Sequence, residues 1–153
     1  MRKIISLLLA LCLVVGMVPL AASAEDATID SFNALDQAIQ GNSSEIKISG
    51  SITFTSDLII PSGKTVTITG SEGSSLNPIG ENSLVVKGNL ILNNVDVRGN
   101  MAVGHAPVTI SEDGASFKAE GVTIENLCTS GRDSFSRSAQ GIQVAKDEAN
   151  FDG

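Results

Sequence analysis

Gly114-Ala-Ser-Phe117-Lys-Ala119-Glu-Gly-Val122-Thr-Ile124-Glu-Asn126, resumed further on by Gln140-Gly-Ile-Gln-Val144 and Ala149-Asn-Phe151, is the stretch that decides how this 153-residue chain folds. Val122 and Ile124 alternate with polar Thr123 and Glu125. That is the period of a strand with one buried face. Twenty-seven residues before this pair stand Val95 and Val97, and 27 after it stand Ala149 and Phe151. Leu90 and Leu92 precede Phe117 and Ala119 by the same 27, and Ile68 precedes Val95 by 27. A fixed period of this size, carried by short strands with Gly or Asn at the breaks, is the mark of a solenoid. The sequence therefore predicts an all-β fold, a right-handed parallel β-helix whose inward Val, Ile, Leu and Phe form columns. Asn126 or Gly99 is expected to turn its corner.

The first 24 residues stand apart from that pattern. Arg2 and Lys3 precede an apolar run from Ile4 to Val18, and Ala22-Ser-Ala24 supplies the small residues of a cleavage site. This order predicts a signal peptide over 1–24 and a secreted or cell-surface protein, with the mature chain beginning near Glu25. The run is short for a membrane span, and no membrane attachment is expected after cleavage. Without the signal the chain has eight basic residues against seventeen acidic ones, a net charge of −9. Such a balance excludes nucleic acid as a partner and leaves any acidic polysaccharide to a local basic cluster. The one cysteine of the mature part, Cys128, frames no disulfide and reads as a small packed residue. No metal site or cofactor is expected.

Between Asp30 or Ser31 as N-cap and Gly41 as C-cap, Phe32, Leu35, Ala38 and Ile39 recur at helical spacing. One short amphipathic helix is expected within a lead-in segment over 25–45, as a cap on the first coil of a β-helix over 46–153. Strands follow at Ile46–Ser49, Ile52–Thr55, Leu58–Ile60 and Val66–Ile68. Gly63-Lys64-Thr65 ends like a phosphate-binding loop, but position 58, where that loop needs its first glycine, is Leu58. It reads as a turn. The Gly, Ser, Asn and Pro of Gly70–Asn82 read as a loop. Leu84–Val86, Leu90–Leu92 and Val95–Val97 read as strands, 100–107 as a loop, and Val108–Ser111 as a strand again.

Over Val108 to Phe151 the chain resembles the pectinesterase family, pectin lyase-like β-helices in which a phenylalanine strand, a Thr-Ile-Glu-Asn strand and a glutamine-led strand follow in this order. The resemblance implies hydrolysis of pectin methyl esters by an aspartate nucleophile, a second aspartate as acid and base, an orienting arginine, and glutamines that stabilise the oxyanion. Only the first of those glutamines carries over, onto Gln140, and an ungapped count back from Phe151 puts Ser138 there instead. The aspartates and the arginine have no counterpart in the chain. It thus reads as an inactive part of a pectinesterase-like parent, incomplete at its C-terminus.

Arg132, Phe135 and Arg137 form the basic and aromatic cluster nearest Gln140. Guanidinium groups grip carboxylates in pairs and an aromatic ring stacks on a sugar, so this cluster is a candidate site for pectin or polygalacturonate. Its plainer reading is a solvated loop, as that of Gln140 is an outward polar residue. His105, with no neighbouring ligand in sequence, is assigned no role. The alternative function is a non-catalytic surface adhesin or carbohydrate-binding solenoid. In either case an open last coil, with Phe151 uncovered, invites self-association.

Overall fold

A computed structural model describes residues 28–102, 104–127, 141–144 and 150–152, the last three by their backbone pairing. The chain is a parallel β-solenoid, and it winds repeatedly through three sheets in the same order. The first sheet holds β1 (Glu45–Ile48), β4 (Thr65–Gly70), β8 (Asn89–Asn93), β11 (Ser116–Glu120) and β14 (Asn150–Asp152). The second holds β2 (Ser51–Thr53), β5 (Ser75–Asn77), β9 (Asp96–Met101) and β12 (Ile124–Asn126), with the short β6 (Ile79–Gly80) also beside β9. The third holds β3 (Leu58–Ile60), β7 (Leu84–Val86), β10 (Val108–Ile110) and β13 (Ile142–Val144). Every pairing is parallel, as the crossover through the other two sheets requires.

Alternation along each strand sends one set of side chains inward, and register stacks them. Val66, Leu90 and Phe117 form one column, Ile52, Leu76 and Val97 a second, and Leu58, Leu84 and Val108 a third. All nine are at most 1% exposed. Each such side chain contributes about 1.5–3 kcal/mol by leaving water. The columns loosen toward the last described coil, where Ile124 and Ile142 are half-buried and Val144 is 49% exposed.

The 27-residue period holds for one step only. Leu90 does face Phe117, and Val97 faces Ile124, at that separation. Earlier coils are shorter, so Ile68 faces Leu92 rather than Val95. The following coil is longer, and Phe151 lies opposite Phe117 in the first sheet rather than in register with Ile124. A solenoid needs its strands aligned, not its corners equal, and corner length absorbs the difference. Gly70–Asn82 is not a plain loop, because β5 within it contributes Leu76, fully buried, to the core. Val122 lies outside the strands and is only partly buried against the core.

Helix α1 (Phe32–Gln40) buries Phe32, Leu35 and Ile39 at the start of the stack and packs on β3. The Phe32 ring meets that of Phe54 at 5.5 Å. Ser31 is its N-cap without a side-chain hydrogen bond, while at the other end the Lys64 ammonium donates to the carbonyls of Ile39 and Gly41. The Gly-Lys-Thr turn thus serves a helix C-terminus, where a cation meets unpaired carbonyls and the negative end of the dipole. Gln40 Nε2 donates to the Ile59 carbonyl at 3.2 Å, and Ile29 bridges to Ile48, so α1 and its approach cover edge groups of β3 and β1.

Candidate functional site

Gln140, Arg132, Phe135 and Arg137 lie outside the described residues, as do Cys128 and the signal segment 1–24. In the sequence the four site residues fall between β12 and β13. The outward column of the third sheet runs Ile59, Val85, Thr109 and Gln143. No carboxylate and no cation stands in that column.

Polar outward groups gather instead on the first sheet. Its strands set Thr65, Asn89 and Ser116 in one column, Thr67, Ile91 and Lys118 in the next, and Thr69, Asn93 and Glu120 in a third. Neighbouring rows are spaced by about 4.8 Å, the distance between hydrogen-bonded strands. The first column is tied along its length: Asn89 Nδ2 donates to Thr65 Oγ1 at 3.2 Å, and Ser116 Oγ donates to Asn89 Oδ1 at 2.7 Å. A ladder of this kind fixes the amide and hydroxyl rotamers before any ligand arrives.

Where the first sheet turns into the second, a cleft of about 440 Å³ opens across three coils. Gly70, Glu72 and Ser74 line it from one coil, Asn94 and Asp96 from the next, and Gly121 from the third. Asn94, not Asn126 or Gly99, turns this corner: its φ of 56° is in the left-handed region, where asparagine is among the few tolerated side chains. Gly121, stacked on it, has φ 64°, and a Cβ there would lie 2.5 Å from Asn94 Oδ1. An alanine at 121 would turn the Asn94 amide aside and would itself be strained by the left-handed backbone.

Asp96 is held in place. Its Oδ1 accepts the Thr123 amide at 3.1 Å and its Oδ2 the Arg98 guanidinium at 2.9 Å, and these bonds, the backbone one first, hold its carboxyl below the ordinary value of 3.8. Arg98 also approaches Glu125 at 3.8 Å. Glu72 and Asn94 are exposed on the cleft wall. Among the described residues no group of three His, Cys, Asp or Glu side chains is arranged to hold a metal ion. Asn126, expected at a corner, works by its side chain: Oδ1 accepts from the Met101 amide at 3.3 Å and Nδ2 donates to the His105 carbonyl at 3.3 Å.

The sequence reading missed Asn94, Asp96 and Glu72. The signal available was Gly70, Asn94 and Gly121, each following the last residue of a first-sheet strand or ending it, but a period of 27 placed only the last two together. Compared with known proteins, the chain matches no family model, no curated protein and no solved structure.

Proposed function

We propose that this chain is a non-catalytic carbohydrate-binding β-solenoid, exported and acting at or beyond the cell surface, with an extended polysaccharide as its partner. The observation that carries the reading is the outward face of the first sheet. One column of Thr65, Asn89 and Ser116, locked by its own hydrogen bonds, stands beside two columns in which Thr67, Thr69 and Asn93 are joined by Ile91, Lys118 and Glu120, and the rows repeat at about 4.8 Å along the stack. A glycan strand laid along the axis would meet an uncharged hydrogen-bonding group at each of these coils in the first column. Hydroxyl and amide contacts suit a neutral or methyl-esterified chain, in keeping with a mature charge of −9 that repels polyanions at long range.

Pectin is the first polysaccharide to test, because the order of strands β11, β12 and β13 follows the order in which the pectinesterase resemblance places Phe117, Ile124-Glu125-Asn126 and Gln140-Gly-Ile-Gln-Val144. That same resemblance supports a second reading, a pectinesterase-like parent in which Gln140 is an oxyanion donor and Arg132, Phe135 and Arg137 hold the uronate chain. Two measurements on the exported protein separate them. Co-sedimentation with insoluble polysaccharides should retain the protein, and Thr67→Glu with Asn93→Glu should release it. Methanol release from methylated pectin should stay at background, since a donor without its nucleophile accelerates nothing. Turnover overturns the non-catalytic reading. Absence of retention on every polysaccharide overturns the binding one.

A further inference from the structure

We infer that the cleft at the corner between the first and second sheets is a subsite for one neutral hexose unit, a branch or chain end of the polysaccharide lying on the adjoining face. This deepens the carbohydrate-binding reading and rests on it. The cleft opens directly off the third outward column, because Gly70, Asn94 and Gly121 are stacked at the ends of the strands that carry Thr69, Asn93 and Glu120. Its volume of about 440 Å³ accommodates a sugar ring together with water.

Its polar groups match a ring bearing adjacent hydroxyls. Asp96 is an acceptor pinned by Thr123 and Arg98 and is only partly covered, with 27% of its side chain exposed. A carboxylate with both oxygens already oriented takes hydroxyl donors at little further ordering cost. Asn94, which also lines the cleft, adds an amide donor and acceptor, and it does so from a backbone conformation that all but glycine, asparagine and aspartate avoid. Glycine would make this corner with less strain. The side chain of Asn94 is thus retained at a conformational cost, and Gly121 leaves the room it occupies.

Charge selects among sugars. Glu72 and Asp96 both face the cleft, and the cation beside it, Arg98, is already bonded to Asp96. A uronate carboxylate would meet like charge on two sides, so a neutral hexose is favoured over galacturonate.

The test is backbone-amide NMR of the whole chain titrated with galactose, glucose, mannose, galacturonate and, separately, calcium. The expected result is a set of shifts at residues 70–74, 94–96 and 121 with at least one neutral hexose, and binding at least tenfold weaker for galacturonate. Asn94→Gly keeps the left-handed turn while deleting the amide, so its melting temperature should hold and its hexose affinity should fall at least tenfold. Asn94→Asp, which also tolerates the turn but cannot donate, should lose affinity as well. Unchanged affinity in Asn94→Gly overturns the inference, as do equal binding of galacturonate or shifts produced by calcium alone. Retention on polysaccharide without hexose shifts at the cleft overturns the subsite and leaves the binding face standing. Hexose shifts without retention on any polysaccharide support the subsite and overturn the face.

Discussion

The corner between the first and second sheets and the corner between the second and third are built on opposite principles. At the former the chain uses two, four, two and three residues on successive passes, whereas at the latter it uses four, six, six and fifteen. The tight corner turns through left-handed residues at Gly50, Gly73, Asn94 and Gly121, and at Gly70 the backbone of the next coil approaches closely. The open corner is spanned by longer segments of unequal length, tied between coils at chosen points such as Asp57 with Ser83, Ser83 with Ala106 and β6 with β9, and otherwise able to vary. The tight corner admits no Cβ at Gly70 without moving backbone, whereas the open corner differs in length from pass to pass. The proposed hexose cleft lies at the tight corner.

Gly70→Ala is the sharpest way to break that contrast. A Cβ at Gly70 would sit 2.5 Å from the Asn94 carbonyl oxygen, 2.7 Å from Val95 Cγ2 and 2.8 Å from Ser74 Cβ. Two of those atoms belong to the next coil and none is the end of a flexible side chain. Relief requires moving backbone, for which overpacking costs of about 3 kcal/mol are expected. Urea unfolding should show a fall of that size in midpoint stability. A loss below about 0.5 kcal/mol would mean that the tight corner yields as easily as the open one.

What was legible in the sequence follows the same division. Period-two alternation named the strands because an inward position either carries Val, Ile, Leu or Phe or leaves a hole, and so Leu90 with Phe117 and Val97 with Ile124 were paired correctly. The helix was legible from Phe32, Leu35 and Ile39 for the same reason. Register beyond one step was not, since it depends on corner length, which no local pattern encodes. Phe151 was therefore placed one sheet away from its partner Phe117. β5 escaped notice because a three-residue strand, Ser75-Leu76-Asn77, shows one apolar side chain and no alternation to count. The cleft residues escaped for a third reason: Glu72, Asn94 and Asp96 come together only through stacking, at separations that differ from coil to coil.

At the open corner, Asn126 adds two side-chain bonds to the segment that leads from β9 to β10. Its side chain accepts from Met101 and donates to His105 across 25 and 21 residues of sequence. Asn126→Ala removes both bonds, and a loss of about 1–2 kcal/mol is expected from two partly buried partners left to water. Hydrogen exchange should quicken at Met101 and His105 ahead of the β8 amides. Equal quickening in β8 would show that the open corner is as tightly coupled to the columns as the rigid one.

A smaller effect distinguishes the corners by pH. The Asp96 carboxyl is held below 3.8 first by the Thr123 amide and then by Arg98, so ionised Asp96 favours the folded chain. Its contribution is complete above the unfolded value, near pH 4, and is lost as pH falls through the lower folded value. Exposure and screening keep it modest. Between pH 5 and pH 3 the wild type should lose slightly more stability than Asp96→Asn, in which that proton uptake is absent. Identical acid slopes would show that Asp96 is not anchored at this corner.

The smallest effect expected is that of lengthening the open corner where it is shortest. The four residues between β2 and β3 include Thr55 and Ser56, both exposed. Phe54 and Asp57 on either side are held, Phe54 by its amide on the Asn77 carbonyl and its buried ring, Asp57 by accepting the Ser83 amide at 2.8 Å. Two glycines inserted between Thr55 and Ser56 would bring this passage to the length used on the next two. Extending a closed loop from four residues to six costs about 0.4 kcal/mol in chain entropy, and no buried contact need move. The inserted chain should melt within a few degrees of wild type and keep the β3 to β7 pairing, read from protection of the Leu58 and Lys87 amides, which donate to Ser83 and Ile60. A loss approaching that of Gly70→Ala would mean that corner length is encoded in the coil itself. The change from 24 to 34 residues between successive third-sheet strands would then need a cause other than tolerance.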